Sequence, residues 1–229
     1  MLPSRCSIAA YGARAGLRHC RRAVLGLSLA LIAWLPAAAQ EPVRIVALGD
    51  SLVHGYGLPP EEGFVPQLSR WLAARDAGAE VHNAGVSGDT TAGGLARFEW
   101  SVLNAPGGAD ALIVVLGGND LLRGIDPAAT RDNLDALLGK AEAAGLPVLL
   151  AGMQAPGNYG EAYKAAFDAI YPELAEEHGA LLYPSFLAGV AEDRALWQED
   201  GLHPNAEGVA RIVERIGPDV LDLVDRARP

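Results

Sequence analysis

Val43-Arg44-Ile45-Val46-Ala47-Leu48-Gly49-Asp50-Ser51-Leu52 is a short apolar run that breaks at a Gly-Asp-Ser turn. Pro42 and Gly49 bound the run, and Val and Ile within it favour a strand over 43–48. Downstream, strand and helix signals alternate. Residues 64–74 carry Phe64, Leu68, Trp71 and Leu72 at helical spacing, and 80–83 form a faint strand. A helix is expected over 91–103, ending near Ala105-Pro106-Gly107-Gly108. Leu112 to Leu116 is continuously apolar and not alternating, which suits a parallel strand covered on both faces. Asp126-Pro127 opens a helix to about Ala144, 147–151 is a strand, 161–177 a helix and 180–183 a last short strand. Asn205 can cap a final helix to about Ile216. Five short strands interleaved with helices imply one doubly wound α/β domain with a parallel sheet. Right-handed crossovers then bring the loops after the strands to one rim, the carboxyl edge, where such sheets bind ligands.

Residues 1–39 read differently. Arg5, Arg14, Arg18, Arg21 and Arg22 make a basic leader, followed by an apolar run over 23–35 and Pro36-Ala37-Ala38-Ala39. This is the pattern of an export signal peptide, with cleavage expected after Ala39 and a single domain over 40–229. The apolar run is short for a bilayer span, so a periplasmic or secreted protein without stable membrane insertion is expected. An uncleaved anchor is the competing reading. Cys6 and Cys20 both lie in the leader, so the mature chain has no cysteine to form a disulfide. The remaining 190 residues suffice for one domain burying roughly 70% of its unfolded surface.

The whole chain has 28 acidic and 18 basic residues. Five of the basic ones belong to the leader and no acidic one does, so the mature net charge is 13 − 28 = −15. Such a surface repels phosphate backbones, which argues against a nucleic-acid partner. No segment suggests an obligate protein partner.

The polar loops carry the chemistry. A serine hydroxyl needs a base within hydrogen-bond reach and a third group orienting that base. Ser51 stands at the exit of the first strand. His203 has Asp200 three residues before it, and Gly201 permits the turn that folds the carboxylate back onto the imidazole. His19 leaves with the leader, and His54 and His82 lack a nearby loop carboxylate. His178 follows Glu176-Glu177 at a helix end. Donors for an oxyanion would come from the Ser51 N–H, the Gly88 N–H and the Asn119 amide. Each of these loops alone is ordinary turn chemistry; their order, each after an expected strand, is the stronger signal. Asp50, Asp89 and Asp120 adjoin these loops and read as turn or network residues. Together with His203 they could in principle hold Mg²⁺, but no spacing among them points to a metal, and no cofactor is expected.

Gly49-Asp50-Ser51-Leu52, Gly88, Gly117-Gly118-Asn119-Asp120 and Asp200-Gly201-Leu202-His203-Pro204 together resemble the four blocks of the SGNH, or GDSL, hydrolases. Residues 84–94 and Gly157-Asn158-Tyr159-Gly160 narrow the resemblance to bacterial thioesterase, lysophospholipase and arylesterase members. The resemblance implies a three-layer α/β/α, flavodoxin-like fold with a five-stranded parallel sheet. It also implies Ser51 as nucleophile, His203 as base and Asp200 as orienter, with Ser51, Gly88 and Asn119 as oxyanion hole and no catalytic metal. The expected substrate is a small ester or thioester with an apolar acyl or aryl group. From loop position alone, Leu121, Leu122, Met153, Tyr159 and Leu202 are the residues expected to hold that group. A carbohydrate or peptidoglycan O-acetylesterase uses the same constellation. A flavodoxin-like ligand-binding or electron-transfer module is the non-enzymatic alternative, and it leaves the Asp200–His203 pair without a purpose.

Overall fold

The computed structural model describes residues 41–228, so the expected leader and its cleavage site lie outside the described residues. Five parallel strands form one sheet: β1 (Val43–Gly49), β2 (Ala79–Gly85), β3 (Ala111–Val115), β4 (Val148–Ala151) and β5 (Leu181–Tyr183). Their order is β2-β1-β3-β4-β5. The strand order reverses between β1 and β3, which opens a crevice at the carboxyl edge. β3 is central, and Ala111 to Val115 are all fully buried, as its unbroken apolar run requires.

Helices close both faces: α1 (Ser51–His54), α2 (Phe64–Ala73), α3 (Thr91–Ala96), α4 (Gly118–Leu122), α5 (Pro127–Ala143), α6 (Glu161–Glu177) and α7 (Ala206–Ala227). α2 packs against α7 on one face, while α3, α5 and α6 pack in series on the other, completing an α/β/α sandwich. Side-chain caps start these helices where the sequence suggested. Asp126 accepts from the Ala128 N–H at 2.9 Å and Asn205 from the Gly208 N–H at 3.0 Å.

Three elements depart from the sequence reading. β2 is longer than 80–83 and buries only Ala84, because it is an edge strand with little apolar surface to advertise it. The expected helix over 91–103 stops at Ala96, and a single π-helical turn, Glu99–Leu103, follows. The break falls at Arg97, whose guanidinium turns inward to backbone carbonyls beneath the site. Finally, α7 continues past Gly217-Pro218 to Ala227. An internal proline costs about 3 kcal/mol. The turns beyond it bury Val220, Leu223 and Val224, each contributing about 1.5–3 kcal/mol, so burial outweighs the defect.

Candidate active site

Register places the site. Gly49 pairs with Gly85 on one side and Val115 on the other, so the chain leaves β1, β2 and β3 side by side at one edge. From β1 comes Asp50-Ser51, from β2 the Ser87-Gly88 turn, and from β3 the Gly117-Gly118-Asn119 turn. The last loop, before α7, brings Asp200 and His203 over the same edge.

Ser51 opens α1. Its Oγ lies 2.9 Å from His203 Nε2, across 152 positions of sequence. The other ring nitrogen, Nδ1, lies 2.6 Å from Asp200 Oδ2. Asp200 also shapes its own turn, since Oδ1 accepts the N–H groups of Leu202 at 2.9 Å and His203 at 3.0 Å. One carboxylate therefore sets both the backbone and the ring. These hydrogen bonds, first among them the one from the His203 ring, hold the Asp200 carboxyl down at about 2. The His203 side chain is only 13% exposed, against 39% for Asp200.

The turn after β3 is fixed from behind. Gly117 adopts φ 112°, and a Cβ there would collide with the Tyr171 hydroxyl. That hydroxyl is buried and donates to the Leu116 carbonyl at 2.9 Å. Asn119 is thereby presented at the edge, and its Nδ2 donates to Asp50 Oδ2 at 3.0 Å. Gly88 has φ 83°, and its carbonyl accepts from Arg123 Nη2 at 2.6 Å. Among the described residues, the N–H groups of Ser51 and Gly88 have no hydrogen-bond acceptor in the protein.

A cavity of about 340 Å³ opens beside Ser51 and His203. Gly88 and Asn119 line it, as do Leu121, Leu122, Met153 and Leu202. Tyr159 does not. Its ring lies 5.0 Å from that of Tyr163, which stacks in turn on Phe167, so the aromatic ladder along α6 holds Tyr159 away from the cavity. This corrects the expectation drawn from loop position.

The carboxylates flanking the loops are network residues. Asp120 is fully buried and accepts from the Thr91 N–H at 2.9 Å and the Thr91 hydroxyl at 2.5 Å, tying α4 to α3. Asp89 accepts from Arg97 Nε at 2.7 Å. Asp50 is 2% exposed, caps α1 through the Leu52 N–H at 2.9 Å, and burial pushes its carboxyl up to about 6. His178, far from the site, pairs with Asp135 at 2.8 Å.

The family model described as "GDSL-like Lipase/Acylhydrolase family" matches residues 47–211, a span that includes every one of these loops. The chain belongs to this family. Membership of this lipase/acylhydrolase family makes it an enzyme of the esterase type. It is 38% identical over 204 residues to "Esterase TesA" of Pseudomonas aeruginosa, covering 89% of this chain and 100% of that protein. It is 36% identical over 200 residues to "Thioesterase 1/protease 1/lysophospholipase L1" of Escherichia coli K12, covering 87% and 92%. Among solved structures it resembles AlinE4, described as an SGNH-hydrolase family esterase, at 44% identity and TM-score 0.68, covering 80% and 96%.

Several residues of this acylhydrolase site escape the sequence reading. Tyr56 lines the cavity with its ring 4.7 Å from the His203 ring. Gln154, Ser185, Leu187 and Ala191 also line it. Gln198 Nε2 donates to the Tyr56 carbonyl at 2.8 Å and the Pro204 carbonyl at 3.0 Å, joining the first loop to the last. Arg97 donates to Gly49 O and Ala84 O, both at 2.8 Å, and so ties together the ends of β1 and β2. A polar side chain whose partners are backbone carbonyls leaves no spacing signature in the sequence.

Proposed function

We propose that this protein is an exported serine hydrolase that cleaves carboxylic esters and thioesters bearing an apolar acyl or aryl group. Ser51 Oγ attacks the carbonyl carbon while His203 Nε2 takes the serine proton. Asp200 holds the imidazole in the tautomer that accepts at Nε2 and stabilises the cation it becomes. The negative oxygen is received by the N–H groups of Ser51 and Gly88 and by the Asn119 amide. The C–O or C–S bond then breaks, and His203 hands its proton to the departing alcohol or thiol. Water, deprotonated by His203, attacks the acyl-serine; the acid leaves and Ser51 regains its proton.

The observation that carries this reading is the chain of two hydrogen bonds, 2.9 Å from His203 to Ser51 and 2.6 Å from His203 to Asp200, opening onto a cavity walled by leucine and methionine. Leu121, Leu122, Met153 and Leu202 supply the apolar contact for the acyl or aryl group. Export rests on the basic and apolar leader over 1–39, ahead of a single catalytic domain over 40–229. A small-molecule ester therefore meets the enzyme outside the cytoplasm.

The test is labelling with a fluorophosphonate probe followed by peptide mapping, together with rates on p-nitrophenyl esters of increasing chain length. Label on the Ser51 peptide and rates that climb beyond acetate support the proposal. Label on another residue overturns the nucleophile, and a sharp preference for acetate turns the reading to an O-acetylesterase.

A further inference from the structure

Asp50 is a buried carboxylate to which the proposed acyl transfer gives no step, placed immediately before Ser51. It is 2% exposed, and its two oxygens have different tasks. Oδ1 accepts the Leu52 N–H at 2.9 Å and so caps α1. Oδ2 accepts from Asn119 Nδ2 at 3.0 Å, across 69 positions of sequence. The turn approaches closely there, since a Cβ on Gly118 would lie 3.3 Å from Oδ2.

An amide side chain has two nearly isosteric ends, a donor and an acceptor. Only the donor end can stabilise a developing oxyanion, whereas the acceptor end would repel it. An ionised carboxylate accepts and never donates, so a partner amide must turn its nitrogen toward it. Asn119 has one Nδ2 hydrogen engaged by Asp50, and the second belongs to the same nitrogen on the cavity wall that Asn119 lines. Resting on the assignment of Asn119 to the oxyanion hole, we propose that Asp50 is a positioning residue which fixes the polarity of the Asn119 amide toward the reacting carbonyl. The neighbours fit this role. No lysine or arginine donates to the carboxylate among the described residues, so its second oxygen remains free for the amide.

The isosteric variant Asp50→Asn separates this role from capping. Asparagine caps a helix as well as aspartate does, so a capping residue tolerates the change. With its oxygen retained by the Leu52 N–H, the substituted side chain would offer its nitrogen to Asn119. The Asn119 amide would then turn over and present oxygen to the substrate.

The experiment measures kcat and KM on a p-nitrophenyl ester for D50N, N119A and the double variant, each normalised to sites titrated with fluorophosphonate so that unfolded protein does not count. Expected are losses in kcat of about 10²-fold or more in both single variants, with KM changed less than about twofold. The double variant should fall no further than about threefold below either single one. D50N within threefold of wild type, beside a strongly impaired N119A, would reduce Asp50 to a helix cap. Losses that multiply in the double variant would show Asp50 acting through another group. N119A retaining kcat within threefold would instead remove Asn119 from the oxyanion hole, and with it the basis of the proposal.

Discussion

Gln198 and Tyr56 are 142 positions apart in sequence, yet the Gln198 amide donates to the Tyr56 carbonyl at 2.8 Å. The same nitrogen also donates to Pro204 O, next to His203. The loop that carries Ser51 and the loop that carries His203 are thus bolted together by one side chain that donates to a carbonyl in each. Reaction rates are sensitive to displacements of about 1 Å between reacting groups. Replacing Gln198 by alanine should therefore lower kcat by about tenfold or more with little change in KM. Steady-state kinetics on a short p-nitrophenyl ester checks it, and an unchanged kcat would mean the loops are held elsewhere.

Asp200 holds the His203 ring and its carboxyl is depressed to about 2. A depressed carboxylate stays ionised above that value, and its contribution is lost only as pH falls through about 2. Loss of activity on the acid side between pH 4 and 7 should therefore not originate in Asp200. D200N should cost about 10³–10⁴-fold in kcat throughout that range. A D200N variant within tenfold of wild type would contradict this.

Asp50 behaves in the opposite sense. Its folded value, about 6, lies above the ordinary 3.8 because of burial, and His203, Asp89 and Tyr171 are the titratable groups whose charges act with it. A raised value means its favourable contribution is complete below about pH 4 and disappears as pH rises through 6. At pH 8 the buried ionised carboxylate thus costs stability, which D50N relieves. D50N should melt about 5 °C above wild type at pH 8, with the gap closing toward pH 4. Thermal unfolding across pH reads this directly, and a gap that widens in acid has the wrong sign.

Arg97 and Asp89 form an ion pair at 2.7 Å with side chains only 17% and 12% exposed. Removing one partner of a buried pair leaves a charge without compensation, at a cost of about 3–5 kcal/mol. R97A also removes the guanidinium donors to the carbonyls of Gly49 and Ala84. The melting temperature should drop by about 10 °C, and denaturant unfolding should show the same loss. A drop below 2 °C would mean water replaces the guanidinium.

Ala191 lines the cavity from a loop and is exposed. Filling that space with phenylalanine should raise KM for long-chain esters by about tenfold while sparing acetate, since each excluded methylene matters by about 1–3 kcal/mol. A uniform rise across chain lengths would place the acyl chain elsewhere in the cavity.

What can be read from the sequence is whatever one element carries by itself. The unbroken Leu112 to Leu116 run announces a strand with two covered faces, and Asp200-Gly201-Leu202-His203 folds back on itself within four residues. β2 is faint because an edge strand needs no apolar pattern. The end of α7 is hidden because Gly217-Pro218 outweighs, locally, a burial that only the sheet supplies. Arg97, Gln198 and Tyr56 act through partners some tens to more than a hundred positions away. Tyr159 is misplaced by loop position for the same reason, since its neighbour Tyr163 belongs to a helix whose packing decides the loop.

Because Ser51 and His203 lie 152 positions apart, a chain synthesised from its amino end carries the hydroxyl long before the imidazole proposed to activate it exists. On the proposed roles, hydrolysis begins only when the final loop has closed over the first turn. Recovered turnover therefore reports complete folding more stringently than recovered secondary structure does, and trimming the carboxyl-terminal quarter should silence the enzyme entirely.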